Sequence, residues 1–412
     1  MAETNLNETP AGNRPKIAIA GCRNAGKSSF INALTGQDIA IVSDVPGTTA
    51  DPVYKPMEIL PLGPVMIIDT AGLDDSGKLG RLRIAKTESV IKTSDFVFHI
   101  IAGDRGITAF DKKILKGIVE KNISCAIVIN KIDISQKKIS IPKEYSKIPV
   151  FRVSSLTKSG IEEIKNRLPE VFPQKRERFI IADLIQGGDI VVLVVPIDLS
   201  APKGRLILPQ VQTIREILDS DAIAVVSKER ALRYTLDSLK QPPKLVVTDS
   251  QAIMKVAADV AKNIPLTTFS VLFARYKGDL QQLTENVHRL NSLKDGDQII
   301  IIEACSHHSQ PDDLGRVKIP RWLTNHTGRK LKFDFFAGKE IPTNLKKYKM
   351  GIHCGGCMLN QKEMESRLES FKEFKLPIIN YGIAISYAHN AFPRVLKIFP
   401  EVYSKFSGKK NE

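Results

Sequence analysis

Apolar runs and amphipathic segments alternate along the chain, a pattern typical of α/β proteins. In the first 172 residues the apolar runs are PKIAIAG, VMIIDTAG, SDFVFHIIAG, SCAIVINK and PVFRVSS. Continuous apolar runs of this length are typical of strands that are buried on both faces. This part of the chain is therefore predicted to be α/β, with a largely parallel sheet covered by helices.

Two further series of the same kind follow. Between residues 181 and 264, the runs IVVLVVPID, IAVVSK and KLVVTD each precede a helical pattern. From residue 265 onward, the predicted strands are TTFSVLFA, QIIIIEA, KKYKMGIH and PIINYGIAISYA. The predicted helices there are DLQQLTENVHRLNSL, MESRLESFKEF and a short closing AFPRVLKIFPEV. With a charged linker after Pro173, we predict a disordered lead-in over residues 1–14 and α/β domains over residues 15–173, 178–264 and 265–412.

Composition narrows the class of protein. The chain has 412 residues, 42% of them hydrophobic, and a formal net charge of +15. It has no run of about 18 apolar residues, and its polar first fifteen residues lack the apolar core of a signal peptide. We therefore expect a cytoplasmic protein that does not enter a membrane. The lysines are spread along the chain and only 6% of residues are aromatic, which favours a solvated basic surface over a nucleic-acid interface.

A phosphate-binding loop follows the first predicted strand. Residues 21–28, GCRNAGKS, match GxxxxGK[ST] between an apolar strand and a helical segment, the context that this motif requires. Backbone N–H groups of such a loop surround the phosphates, Lys27 reaches the β- and γ-phosphates, and the Ser28 hydroxyl binds Mg²⁺. The predicted nucleotide-binding residues of this segment are Asn24, Ala25, Gly26, Lys27, Ser28 and Ser29.

Three later segments complete a guanine-nucleotide site. Asp69, within DTAG, is expected to hold the Mg²⁺ shell through water, and the Gly72 N–H to meet the γ-phosphate. In NKID, Asp133 can accept two hydrogen bonds from the N1 and N2 edge of guanine, a donor pair that adenine lacks. The other predicted base contacts lie in NKID and in the weaker segment SSL: Asn130, Lys131, Ser154, Ser155 and Leu156. The sequence thus predicts a GTP hydrolase that binds GTP, GDP and Mg²⁺.

The segment VPGTTAD, residues 45–51, resembles the switch segment of the Era-like and tRNA-modification GTPases. The resemblance implies that a threonine completes the Mg²⁺ shell, with Thr49 favoured over Thr48. It also implies a K⁺ ligand at Asn24, where the tRNA-modification GTPases place one. Leu73 stands where Ras-like enzymes carry a glutamine that orients water, and leucine cannot do so. We therefore expect slow hydrolysis, stimulated by K⁺, with Lys27, Thr49, Asp69 and Gly72 as catalytic residues.

Cysteine and histidine residues gather in the last third of the chain. The carboxyl ends of neighbouring strands in an open α/β sheet meet at one crevice, so the groups after IIIIEA and KMGI are expected to form one site. His389, after GIAISYA, is a further candidate at that edge, although an unrelated histidine is the favoured interpretation. Three thiolates without a fourth favour a [4Fe–4S] cluster with one exchangeable position, and structural zinc or no metal are the alternatives. The candidate ligands are Cys305, His307, His353, Cys354 and Cys357, with either histidine as a ligand or as a neighbour of one.

The pattern CxH…HCxxC, together with the leucine that follows DTAG, resembles the HydF family of [FeFe]-hydrogenase maturation GTPases over essentially the whole chain. The resemblance implies a GTPase domain, a middle dimerisation domain that makes a homodimer, and a domain with a [4Fe–4S] cluster on the three cysteines. It also implies a carrier that accepts a diiron precursor made by radical-SAM maturases and delivers it to apo-hydrogenase. GTP turnover would gate the exchange of partners. The alternative is an RNA-modification or ribosome-assembly GTPase with a zinc-binding C-terminal domain.

Overall fold

The computed structural model describes residues 12–36, 52–70, 78–135, 139–173, 178–196, 206–304, 313–338, 342 and 344–408. The chain divides into two compact units, Met1–Arg176 and Glu177–Glu412. Across the described ranges, no helix has both the length and the apolar character needed to cross a membrane.

The first unit contains one sheet with helices on its faces. Its strands are β1 (Lys16–Gly21), β2 (Val53–Ile59), β3 (Gly63–Asp69), β4 (Phe96–Ala102), β5 (Cys125–Asn130) and β6 (Val150–Arg152). Its helices are α1 (Lys27–Thr35), α2 (Lys78–Thr93), α3 (Ala109–Glu120) and α4 (Ile161–Val171), with a 3-10 turn at Lys143–Tyr145. The described strands are ordered β2-β3-β1-β4-β5-β6, and only β2 is antiparallel to its neighbour.

The central strands of this sheet are buried on both faces, as their continuous apolar sequences predict. Every residue of β1, β4 and β5 is buried. Phe98 of β4 contacts Phe30 of α1 and Phe96 edge to face, with ring centroids 5.3 and 5.1 Å apart. Because β1, β3, β4 and β5 run parallel, their carboxyl ends share one edge, where the predicted nucleotide motifs begin. The predicted α/β class with a P-loop domain is confirmed.

The second unit contains two sheets of described strands. The first sheet has β7 (Ile190–Val194), β8 (Ile223–Ser227), β9 (Leu245–Thr248) and β10 (Leu266–Thr268), with helices α5 (Leu208–Asp219), α6 (Leu232–Asp237) and α7 (Ile253–Asp259). Short 3-10 helices lie at Ala182–Leu184 and Ser250–Ala252. All pairs in this sheet are parallel, in the order β10-β9-β7-β8, so β8 is an edge strand.

The second of these sheets follows α8 (Phe269–Lys277) and α9 (Leu280–Glu285). It comprises β11 (Gln298–Glu303), β12 (Lys332–Ala337), β13 (Met350–His353) and β14 (Ile378–Asn380), all parallel in the order β12-β11-β13-β14. The remaining helices are α10 (Ile319–Thr327), α11 (Gln361–Glu373), α12 (Tyr381–Ala388), α13 (Phe392–Leu396) and α14 (Pro400–Ser407), with a 3-10 segment at Val287–Ser292 and a π-helical turn at Leu314–Lys318. One hydrophobic core joins the two sheets of this unit.

Two predicted strands end well before the apolar runs that predicted them. In TTFSVLFA the strand stops at Thr268, whose side chain accepts a hydrogen bond from the Val271 N–H and starts α8. In PIINYGIAISYA it stops at Asn380, whose side-chain oxygen accepts from the Ile383 N–H and starts α12. Both helices are largely buried, and a fully apolar sequence has no periodicity that separates a buried helix from a buried strand. The predicted closing helix is two helices, α13 and α14.

Candidate nucleotide site and metal centre

The phosphate-binding loop joins the end of β1 to α1. Gly26 has φ +88°, and a side chain there would overlap the amide nitrogen of Asn130, so the position requires glycine. Asn24, the predicted K⁺ ligand, is exposed at φ +60° in the same loop. The Lys27 ammonium donates to the carbonyl oxygens of Gly21 at 3.1 Å and Cys22 at 3.0 Å. The lysine therefore lies inside the loop, where phosphate oxygens can replace these carbonyls as its acceptors.

The two predicted groups of the Mg²⁺ shell lie in contact. The Ser28 hydroxyl at the start of α1 donates to Oδ2 of Asp69 at the end of β3, with 3.2 Å between the oxygens. Burial raises the pKa of Asp69, and the nearby Lys27 opposes this effect. A divalent cation would favour the ionised carboxylate further, because it adds positive charge next to that group.

Asn130 joins the three nucleotide motifs. Its side-chain nitrogen donates to the Ala25 carbonyl at 3.1 Å, and its side-chain oxygen accepts from the N–H and hydroxyl of Ser155 at 3.0 and 2.9 Å. The residue is buried, so these bonds are shielded from water. Asp133 is exposed in the turn after β5, and Leu156 is 83% exposed. The loop, NKID and SSL are thus brought together, with exposed residues where a base could bind.

The predictions for Thr48, Thr49, Gly72 and Leu73 lie outside the described residues, so the second half of the Mg²⁺ shell and the γ-phosphate contact stay predictions.

The cysteine loop, residues 354–360, joins β13 to α11 in the second unit. His353, the last residue of β13, pairs with Ile302 of the parallel neighbour β11. The next sulfur, Cys354 Sγ, accepts a hydrogen bond from the N–H of Ala304 at 3.2 Å. Ala304 directly precedes Cys305, which, like His307, lies outside the described residues. The fold therefore brings the Cys354 thiol to the start of the segment that carries the remote cysteine.

Glycine shapes the turn between the two cysteines of this loop. Gly356 has φ +62°, and a side chain there would overlap the methyl group of Met364. Gly355 has open space around it and an ordinary φ. Cys354 and Cys357 are both half-buried, and burial raises the pKa of the Cys357 thiol against the opposing charge of Lys277.

His353 has partners within the protein at both ring nitrogens. Nδ1 lies 2.6 Å from the Cys354 carbonyl oxygen, which can only accept, so Nδ1 carries the proton. Nε2 then accepts from Nη1 of Arg367 at 3.1 Å. Burial, reinforced by Arg367, lowers the pKa of His353 to about 4, so the ring is neutral near pH 7. This arrangement favours an orienting role for His353 over direct ligation.

Two of the three predicted thiols are therefore described, and the third is not. Within the ranges that the structure covers, no group of three or more His, Cys, Asp and Glu residues could hold a metal ion. The structure does not bring His389, the further candidate at this edge, to the cysteine loop. His389 follows α12, whose eight residues span about 12 Å from the sheet edge at Asn380, and its ring lies against Trp322 with centroids 5.0 Å apart.

Family models match most of the chain. The Hydrogen maturase F dimerization domain matches residues 180–278, and the Hydrogen maturase F tetramerization domain matches residues 281–398. Together these two models cover more than half of the 412 residues. The chain belongs to the HydF family. A third model, the 50S ribosome-binding GTPase, matches residues 16–131 and agrees with the nucleotide motifs described above. This HydF family member therefore carries a GTPase domain, which supports GTP binding and hydrolysis with Mg²⁺.

Other relatives of this HydF family member are GTPases. The tRNA modification GTPase MnmE of Janthinobacterium sp. (strain Marseille) is 35% identical over 156 residues, 37% of this chain and 33% of that protein. GTPase Der of Chlorobium phaeobacteroides (strain BS1) is 33% identical over 188 residues, 40% of this chain and 43% of that protein. The structure of Era from Aquifex aeolicus aligns at a TM-score of 0.34 with 20% identity, over 52% of this chain and 92% of that one. The chain spans less than half the length of these two curated relatives.

The HydF motif does not include two buried cations that the structure places at the cysteine loop. Lys277 is the last residue of α8, and Arg367 lies in α11. Neither shows a signal in the sequence, because a lysine or arginine on an amphipathic helix is ordinarily exposed. Only the packing of these helices against the loop turns them inward.

Proposed function

We propose that this HydF family member is a GTPase that holds a [4Fe–4S] cluster on Cys305, Cys354 and Cys357. In this proposal it accepts a diiron precursor from radical-SAM maturases and delivers it to apo-[FeFe]-hydrogenase. The precursor is cargo, and GTP hydrolysis gates the exchange of partners. The family supports the maturation role. The cluster is inferred from the three cysteines, and the delivery of the precursor is inferred from the resemblance to the family.

One observation carries the cluster proposal: the hydrogen bond from the Ala304 N–H to Cys354 Sγ. Ala304 and Cys354 lie 50 positions apart in the sequence, and this bond brings the Cys354 thiol next to the residue that precedes Cys305. Amide donors to sulfur are common around iron–sulfur clusters, since they stabilise the negative charge of thiolate and sulfide. The donor set of three cysteines fits a cluster with one position left for an exchangeable ligand.

The residues around the loop have separate tasks in this proposal. The cysteines hold the cluster, which supplies an open iron position and one-electron chemistry when bound. His353 and Arg367 orient the backbone of the loop through the Cys354 carbonyl, and Gly356 turns it. Because both ring nitrogens of His353 are engaged, we propose a fourth ligand other than this histidine.

The nucleotide site is proposed to hydrolyse GTP slowly. Lys27 stabilises the negative charge of the β- and γ-phosphates, and Ser28 and Thr49 hold Mg²⁺, with Asp69 behind its water shell. Leucine at position 73 cannot orient the attacking water. We propose that K⁺ bound through Asn24 supplies part of the missing charge stabilisation.

Metal analysis tests the cluster. The protein, purified without oxygen and reconstituted, should contain about four irons and four sulfides per chain and give an EPR signal after reduction. Cys305→Ser, Cys354→Ser and Cys357→Ser should each abolish or degrade that signal. Cys125→Ala, at a buried thiol in β5, is the matched control and should leave the signal unchanged.

Stoichiometric zinc without iron would contradict the proposal and support a zinc-stabilised GTPase switch. Salt-sensitive binding of tRNA or rRNA would instead support the RNA-modification alternative.

Potassium dependence is tested separately. GTP turnover should be faster in KCl than in NaCl, and Asn24→Ala should remove the difference. Equal rates in the two salts for the unaltered protein would contradict the K⁺ proposal and would leave the cluster proposal unaffected.

We also propose a homodimer that forms through β8. This edge strand exposes Ile223 and Val226 at 49% and 47%, and the preceding helix exposes Leu218 at 56%. Exposed apolar edge strands readily pair with another chain. A second copy is the occupant that the dimerization model over residues 180–278 favours.

A further inference from the structure

Lys277 is a buried lysine that donates two hydrogen bonds to the cysteine loop. Its side chain is only 1% exposed. Its ammonium donates to the carbonyl oxygens of Cys357 at 2.9 Å and Leu359 at 2.7 Å. Removing an ammonium from water is costly unless hydrogen bonds and negative charge compensate it, so this placement needs a specific reason.

A second buried cation lies at the other cysteine. Arg367 is 4% exposed, and it bonds to His353, which in turn donates to the Cys354 carbonyl. The backbone carbonyl of each cysteine in the CxxC turn is thus linked to a buried cation, one directly and one through a histidine. Lys277 reaches Cys357 directly, and Arg367 reaches Cys354 through the imidazole.

The two cations come from different parts of the family architecture. Arg367 lies within residues 281–398, matched by the tetramerization model that also contains the loop. Lys277 lies within residues 180–278, matched by the dimerization model. One family domain therefore contributes a positive charge to the cysteine loop of the next domain.

Positive charge at this position has a definite electrostatic effect. Three thiolates give a bound [4Fe–4S]²⁺ core a net negative charge, and one-electron reduction makes it more negative. A buried cation nearby stabilises the more negative state most, because the interaction is little screened in a low-dielectric environment. The hydrogen bonds to the loop carbonyls add to this effect by keeping the ammonium in place.

We propose that Lys277 is a positioning residue that fixes the CxxC turn through the Cys357 and Leu359 carbonyls and whose charge raises the reduction potential of a cluster bound there. The inference rests on the proposed function, since it requires a cluster on these cysteines.

The test is an EPR-monitored redox titration of the full-length, reconstituted protein. Lys277→Met removes the charge and the donor, Lys277→Gln removes the charge but keeps a donor, and Lys277→Arg keeps both. We expect the Met and Gln variants to titrate at a lower potential, by at least a tenfold change in the one-electron equilibrium, or about 59 mV. Lys277→Arg should stay close to the unaltered protein. Lys362→Met, a half-exposed lysine on α11, is the control and should not shift the potential.

The outcomes separate this inference from the proposed function. A Lys277→Gln potential equal to that of the unaltered protein overturns the inference, and this variant decides the matter if the Met variant fails to fold by circular dichroism. Loss of the cluster in the Met and Gln variants with retention in Lys277→Arg supports the inference, whereas loss in all three overturns the role of charge. If the unaltered protein itself shows no cluster signal, the proposed function fails.

Discussion

The nucleotide site and the cysteine site occupy corresponding places in their sheets but are stabilised differently. Both lie at the carboxyl ends of parallel strands, β1, β3 and β5 in one case and β11 and β13 in the other. In the nucleotide site, Lys27 bonds to carbonyls of its own loop and Asn130 links short motifs through neutral hydrogen bonds. In the cysteine site, two buried cations from other elements make the contacts: Lys277 of α8 bonds to the Cys357 carbonyl, and Arg367 of α11 bonds to His353.

This difference follows from the chemistry of the ligands. A nucleotide brings its own Mg²⁺, and loop N–H groups with a helix N-terminus bind the phosphates. The binding groups can therefore lie in short contiguous motifs. In the proposed cluster site, thiolates would bring negative charge next to the half-buried Cys354 and Cys357, and side chains from other elements of the fold would have to compensate it. The two sites should accordingly respond to different substitutions.

The largest expected effect is a separation of GTP turnover from metal content. Lys27→Ala should reduce GTP turnover by roughly 10²–10³-fold, because it removes a charge from the transition state, and it should leave iron and sulfide content unchanged. Cys354→Ser should lower the iron and sulfide content and leave GTP turnover unchanged. Steady-state phosphate release and iron analysis on both variants measure this, and a loss of iron in Lys27→Ala would show that the sites are not independent.

A glycine pair tests how strictly the cysteine turn is shaped. Gly356→Ala places a side chain on a left-handed backbone, and the methyl group at the end of Met364 must move to admit it, so the substitution should destabilise the unit by about 1–2 kcal/mol. Gly355→Ala meets nothing within 4 Å and should change stability by less than about 0.5 kcal/mol. Urea unfolding followed by the fluorescence of Trp322, the single tryptophan, reports on this unit. Equal effects of the two alanines would contradict the described turn.

The edge strand β8 gives a third comparison. Val226→Lys should weaken self-association by roughly 30-fold, about 2 kcal/mol, because it places a charge on the proposed apolar interface. Val119→Lys, at a similarly exposed valine of α3, should not. Sedimentation equilibrium measures both. An unchanged dimer in Val226→Lys would move the interface away from β8.

The smallest effect is expected at the junction of the nucleotide motifs. Ser155→Ala removes one of two hydrogen bonds to the Asn130 oxygen and should weaken GDP binding about fivefold, or about 1 kcal/mol. Ser146→Ala, which loses only an exposed bond to the Lys143 carbonyl, is the control. Titration with a fluorescent GDP analogue measures both affinities. Equal affinities of the Ser155→Ala and Ser146→Ala variants would contradict a role for the Asn130–Ser155 contact in GDP binding.

Much of the nucleotide site could be predicted because its motifs are local. GxxxxGK[ST] between a strand and a helix places Lys27 and Ser28, and the end of a buried strand places Asp69. Less could be predicted where apolar sequence continues past a strand. Thr268 and Asn380 end strands by capping helices, and the apolar residues after them have the same composition in either structure. The predicted domain limits within the second unit stay predictions.

The sequence by itself determined the α/β class, the chemistry of the phosphate loop and the presence of thiols that could bind a metal. These depend on residue types at short spacings, which the chain carries without reference to its fold. Tertiary structure alone decided that the Ala304 N–H meets Cys354, that His353 is engaged at both nitrogens, and that Lys277 points inward to the Cys357 carbonyl. The Ala304–Cys354 and Lys277–Cys357 contacts join segments far apart in the chain, and the Arg367–His353 contact joins a helix to a strand, so only the packing of α8, α11 and two parallel strands brings these groups within bonding distance.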